Sequence, residues 1–164
     1  MTITAYDHAY TYDNVRAGQQ IMTGVILHST CEELATSSDI IMSVVAADEA
    51  VNATTSIAPF LSRNHLFLDG NSVSPGTKSR SADILKSYNA GVTYLDMAIM
   101  APIHPLGHRS ALLIAGPGRE RVTPFLDHYG FEYDWEGAEP GQASIIKMLR
   151  SVLIKGSSHL FVNQ

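Results

Sequence analysis

Cysteine is nearly absent from this sequence. Cys31 stands alone, so no disulfide can close within the chain, and the composition suits a reducing, cytoplasmic compartment. Charge is sparse as well, at 16% of residues. The 16 acidic side chains outnumber the 11 basic ones and leave a net charge of -5. That balance offers no basic footprint, which argues against a nucleic-acid partner. No apolar run approaches the roughly 18 residues of a membrane-spanning helix, so no membrane partner is expected. The N-terminus has no basic stretch followed by an apolar core, which argues against a secretory signal. Internal repeats and low-complexity tracts are also missing.

What is present is enough apolar material for one core: 45% of 164 residues. Short apolar runs alternate with helical patterns along the chain. Strands are expected at 3–6, 25–28, 40–45, 66–68, 92–95, 111–115 and 131–133. Helices are expected at 15–22, after Thr30 with Glu33 at the capping-box position, from Asp48 to Leu61, from Pro75 to Tyr88, at 123–129 closed by Gly130, and at 145–161. The uninterrupted apolar run Ile40 to Val45 reads as a strand buried on both faces. The alternation predicts an α/β fold: a Rossmann-like, doubly wound, mostly parallel sheet ending in a long C-terminal helix. Ligands of such sheets gather at the carboxyl ends of the strands. Asp7, Ala46, Ser72, Asp96 and Met100 each follow an expected strand and are expected on that edge.

Several residues there carry possible chemistry. In helical register Ser144, Lys147, Ser151 and Lys155 form one polar stripe on an otherwise apolar helix. Such a stripe either faces water or lines a site. Asn71, Ser72 and Ser74 precede Pro75 and can cap the helix that starts there; a hydroxyl from Ser72 toward a ligand is compatible with that. His104, His108 and Arg109 follow Met100 in a stretch broken by Pro102 and Pro105. The prolines argue against a helix, so the histidine spacing does not read as a metal site; a solvated loop, or one offering His104 or Arg109 to an anionic substrate, remains. Gly116-Pro117-Gly118 follows a strand, but Arg121 stands where a third glycine belongs in a phosphate-binding turn. An ordinary turn is the simpler reading.

Leu66-Phe-Leu-Asp-Gly-Asn-Ser-Val-Ser-Pro75, Asp96-Met-Ala-Ile-Met-Ala-Pro102 and Ile146-Lys-Met-Leu-Arg-Ser151 together resemble motifs of the 3-hydroxyisobutyrate and 6-phosphogluconate dehydrogenase-like, or β-hydroxyacid dehydrogenase, family. The resemblance covers nearly the whole chain. It implies an NAD(P)-dependent oxidoreductase that moves a hydride from a small 3-hydroxyacid-like substrate to NAD or NADP. It assigns Lys147 as the catalytic residue. Asp7, Val45, Ala46 and Ser72 would touch the cofactor, with Asp7 at a ribose hydroxyl and Ser72 near the nicotinamide. Met100, His104 and Ser151 would face substrate, and no metal is implied. Met100 replaces a serine common in relatives, and Ser151 an asparagine.

Two departures from the family stand out. The family opens with a strand, a Gly-x-Gly-x-x-Gly turn and a helix; this sequence opens at what matches the second strand. The family also carries an all-helical second domain, whereas this chain reaches only the helix leading to it. Residues 1–139 therefore read as a truncated dinucleotide-binding domain and 140–164 as the start of an interdomain helix. With the central strand missing, its two neighbours are left with unpaired edges, and the diphosphate loses its helix N-terminus. Weak or absent cofactor binding and homo-oligomerisation are the expectations. A non-enzymatic, Rossmann-like ligand-binding or interaction module remains the alternative.

Overall fold

Apolar runs become strands and capped polar stretches become helices in the order the sequence implies. The computed structural model describes residues 2–7 and 24–160, with residues 155–160 in backbone only. The expected helix at 15–22 lies outside the described residues. Strands β1 (Ile3–Ala5) and β2 (Val25–Leu27) pair in parallel as a two-stranded sheet. Helix α1 (Cys31–Thr36) follows, capped by Thr30, whose hydroxyl accepts from the Glu33 N–H at 3.1 Å. The Glu33 carboxylate reaches back to the Ser29 N–H, one residue earlier than a capping box requires.

The remaining strands form a second sheet. They are β3 (Ile40–Ser43), β4 (Leu66–Asp69), β5 (Thr93–Ile99), β6 (Leu112–Ala115) and β7 (Tyr133–Trp135), in that spatial order. All neighbours are parallel except β5 and β6. Between them lie α2 (Ala50–Ile57), α3 (Pro75–Tyr88) and α4 (Arg119–His128), and the long α5 (Gln142–Leu160) follows β7. One face of the sheet packs Ile41, Phe67 and Tyr94 against Ala35 of α1, Ile57 of α2 and Leu85 of α3. The other packs Leu66, Leu68, Leu95, Met97, Leu112 and Ile114 against Val122 and Leu126 of α4. Farther along the first face, Ala98, Leu113 and Ala115 meet Ala143 of α5. Helices thus cover both faces, as a doubly wound sheet demands.

Three expectations need correction. The strand at 40–45 ends at Ser43 and is not buried on both faces: Met42 is 40% exposed and Val44 62%. It lies at the edge of the five-stranded sheet, where one flank has no neighbour among the described residues. The strand at 92–95 runs on to Ile99, because the antiparallel ladder with β6 pairs Asp96 to Ile99 with Leu112 to Ala115. Asp96 therefore sits inside a strand and is fully buried rather than following one. Helix α4 starts at Arg119 and β7 at Tyr133, each offset from the expected bounds. Among the described residues the β1–β2 pair shares no ladder with β3; Thr4 Oγ1 and Ser38 Oγ meet at 3.1 Å near the division.

Candidate active site at the carboxyl edge of β3 and β4

Strands β3 and β4 end side by side, with Ser43 opposite Asp69. Beyond them the chain must turn, and Asn71 ties the two turns together. Its Oδ1 accepts from the Val45 N–H at 2.7 Å, and its Nδ2 donates to Ser43 Oγ at 2.9 Å. Its own N–H donates to Asp69 Oδ1 at 3.0 Å. Asn71 is buried, so these bonds replace water contacts it has lost. Val44, Val45 and Ala46 are held by this lock with their side chains exposed. Ser72 comes next and is exposed, and Ser74 caps α3 by accepting from the Thr77 N–H at 3.1 Å. Pro75 at the first helical position fits that cap.

Lys147 reaches this edge from α5. Its Nζ donates to Ser72 Oγ at 3.0 Å, joining residues 75 positions apart. The lysine is half-buried. Its pKa is lowered from the ordinary value, first by burial and then by the nearby Lys78 cation; Asp96 pulls the other way. From the polar stripe, Lys147 thus reaches Ser72 and Ser144 is buried against the sheet. The helix start is fixed by Asp96, whose Oδ2 accepts from the N–H groups of Gly141 (3.1 Å) and Ser144 (2.9 Å). Its Oδ1 accepts from Ser144 Oγ at 2.8 Å. A carboxylate at a helix N-terminus meets unpaired N–H donors there.

Of the residues assigned from the resemblance, Val45, Ala46, Ser72 and Lys147 come together. Met100 donates its N–H to Ala111 at 2.8 Å, and its side chain packs with Ile146 against the Ala98–Ala143 cluster, so it borders α5 as packing. Ser151 is half-buried one turn beyond Lys147. His104 is exposed in the loop after β5. Asp7 lies two residues past β1 of the separate sheet, and among the described residues no strand ladder links it to Ser72.

Sequence reasoning missed the buried cluster beneath the edge. Lys78, fully buried, donates from Nζ to the Asp69 carbonyl oxygen at 2.5 Å and to Asp69 Oδ1 at 2.9 Å. It also lies 3.4 Å from Asp96 Oδ1. Tyr94 OH donates to Asp69 Oδ2 at 2.7 Å, and burial beside that carboxylate pushes the phenol's pKa far up. Lys78 shares a helical stripe with Ser81 and Leu85, both buried, and a stripe that polar does not read as buried from sequence.

The edge supplies a hydroxyl, an amine and an exposed Val44–Ala46 turn, a donor set that suits the nicotinamide side of a dinucleotide. The diphosphate side has no counterpart among the described residues. Gly116-Pro117-Gly118 does precede α4, but it lies at the other end of the sheet. A Cβ on Gly116 would sit 2.7 Å from the Tyr94 carbonyl oxygen, and one on Gly118 2.8 Å from Thr93 Cγ2. Those glycines permit close packing on the start of β5, which is the ordinary-turn reading. An open surface depression lined by Leu112, Arg119, Phe131 and Tyr133 shares no residue with the Lys147 edge.

Comparisons with known proteins bear on the fold and the family. A conserved hypothetical protein from Sinorhizobium meliloti 1021 has a structure that matches 98% of this chain with a TM-score of 0.86 and 30% identity. A conserved protein of unknown function, described as structurally similar to 3-hydroxyacid dehydrogenases, matches 97% with a TM-score of 0.79 and 26% identity. An imine reductase from Myxococcus stipitatus in complex with NADP+ matches 98% with a TM-score of 0.74 and 25% identity. The chain spans 54%, 57% and 54% of those three chains, about half of each. Residues 2–137 match the family model described as the NAD binding domain of 6-phosphogluconate dehydrogenase, and the chain belongs to that family.

Proposed function

We propose that this chain is the dinucleotide-binding half of an NAD(P)-dependent oxidoreductase acting on a 3-hydroxyacid-like substrate, with Lys147 exchanging the hydroxyl proton. The observation that carries the reading is the Lys147 Nζ to Ser72 Oγ bond at the carboxyl edge of the sheet. NAD(P), when bound, supplies the hydride acceptor. The chain's own residues handle position and proton. Ser72 accepts from Lys147, which orients the amine and leaves the serine O–H free to donate to an amide oxygen. A lysine whose pKa is lowered by burial holds more of its neutral form near pH 7, and the neutral amine can accept a hydroxyl proton. His104 and Ser151 are the substrate-facing candidates on the neighbouring loop and helix, and Asp7 is the ribose candidate.

The test is Lys147→Met with two readouts, NAD(P)-linked oxidation of 3-hydroxyacids and thermal melting. Turnover is expected to vanish and the melting temperature to stay nearly unchanged. Methionine replaces the packing of the lysine stem but exchanges no proton. Undiminished rates would overturn the assignment, and a large fall in melting temperature would make Lys147 structural. A non-enzymatic interaction module is the second reading. It is favoured by the apolar face that α5 leaves in water, where Val152 is 67% and Leu153 72% exposed.

A further inference from the structure

We propose that Lys78, which the reaction itself does not require, is the positioning residue of Lys147: through Asp69 and Asp96 it anchors both ends of the Lys147–Ser72 hydrogen bond. This rests on the reading of Lys147 as the proton-exchanging group. The anchoring is visible bond by bond. Asp69 and Asp96 are register partners on β4 and β5, and Lys78 on α3 spans both. On the β4 side, Asp69 Oδ1 accepts from the Asn71 N–H, which fixes the turn one residue before Ser72. On the β5 side, Asp96 accepts from Gly141 and from both the N–H and the Oγ of Ser144, which fixes the turn of α5 just before Lys147. Neither end of the bond can shift unless this cluster shifts.

The cluster also sets the field at Lys147. The charged groups that act on it are Lys78 from α3 and Asp96 from β5. Lys78 compensates one of the two carboxylates. Without it Lys147 would face the Asp96 carboxylate with no neighbouring cation, and that favours its protonated form. Burial of a lysine between two aspartates is expensive unless every donor is satisfied. Lys78 has acceptors in the Asp69 carbonyl, the Asp69 carboxylate and the Asp96 carboxylate.

The experiment is competitive labelling of the amines with acetic anhydride across pH, read by mass spectrometry. The exposed Lys86 serves as the internal reference. It is run on the wild type, on Lys78→Met, and on Lys78→Met with Asp69→Asn, which keeps the net charge of the cluster and is the safer variant for folding. In the wild type Lys147 should become reactive at a lower pH than an ordinary lysine amine. In both variants the Lys147 curve should move up, with about tenfold lower reactivity at a given pH for each unit of movement. If wild-type Lys147 behaves like an ordinary lysine amine, the functional reading itself fails and takes the proposal with it. If wild-type Lys147 is primed and the folded variants leave its curve unchanged, only the positioning role is refuted. If neither variant folds at low temperature by circular dichroism, Lys78 is a determinant of the fold rather than a positioning residue, and the proposal is wrong.

Discussion

Asn71 and Tyr94 show how much of this edge depends on single buried polar groups. Asn71→Ala would orphan the Ser43 hydroxyl and release the Val45 N–H. A loss of about 1–3 kcal/mol is expected from the desolvated partners left behind, and urea unfolding would measure it. Tyr94 gives a pH signature. Its folded pKa is raised well above the ordinary 10.0 by burial and by the Asp69 carboxylate. Above that pH the unfolded chain loses the phenolic proton while the folded chain keeps it, so stability falls as pH rises. Tyr94→Phe should remove this alkaline fall, which thermal melting between pH 9 and 11 would reveal as a flatter curve. Lys147 acts in the opposite sense. Its pKa is lowered on folding, so the folded state binds fewer protons, and stability rises with pH between its folded value and the ordinary 10.5. Lys147 and Ser72, which the structure joins by a hydrogen bond, were singled out beforehand because each belongs to a recognisable pattern. Lys78 was not, since a lysine among helical polar residues reads as solvated until the strands beneath it are known to carry Asp69 and Asp96.

Helices and strands were read best where their signals are local. Ser74-Pro75 starts α3 as expected, because a cap and a preset backbone angle act within one turn. Ser74→Ala should lower stability by about 1 kcal/mol through loss of the bond to the Thr77 N–H, whereas Ser74→Asp should largely retain it; chemical denaturation of both variants decides. Strands were read worse. An apolar run such as Ile40 to Val45 records a tendency to be buried and says nothing of how many neighbours the strand has, and the edge position of β3 left Met42 and Val44 in water. The extension of β5 through Ile99 depends on β6, which pairs with it antiparallel. α5 keeps its apolar residues from Ile145 to Ile154 largely exposed because Ala143 and Ser144 near its start, not its middle, meet the sheet.

For the molecule as a unit, two expectations concern surfaces that the fold leaves open. The two sheets are not joined by a ladder, and the exposed side chains of Ile3, Ile26, Leu27, Val44 and Val45 flank them. Together with the apolar face of α5 this predicts self-association. Light scattering at tens of micromolar is expected to show a dimer or larger species, and a clean monomer would count against it. Dinucleotide affinity is expected to be weak, since no helix start lined with glycine faces the Ser72 edge among the described residues. Calorimetry with NAD and NADP tests this, and a dissociation constant in the low micromolar range would contradict it.

The α/β class, the start of α3 and the polar stripe bearing Lys147 were all readable along the chain, because propensity, capping and periodicity act between residues a few positions apart. The split into two sheets, the antiparallel turn of β6 and the burial of Lys78 between Asp69 and Asp96 were not. Each depends on which distant segments come to lie side by side, and packing of that kind leaves no mark in the local order of residues. Lys147 and Ser72 belong to both groups. Each was picked out by its own neighbourhood, yet their meeting across 75 positions came from the docking of α5 onto β5 through Asp96.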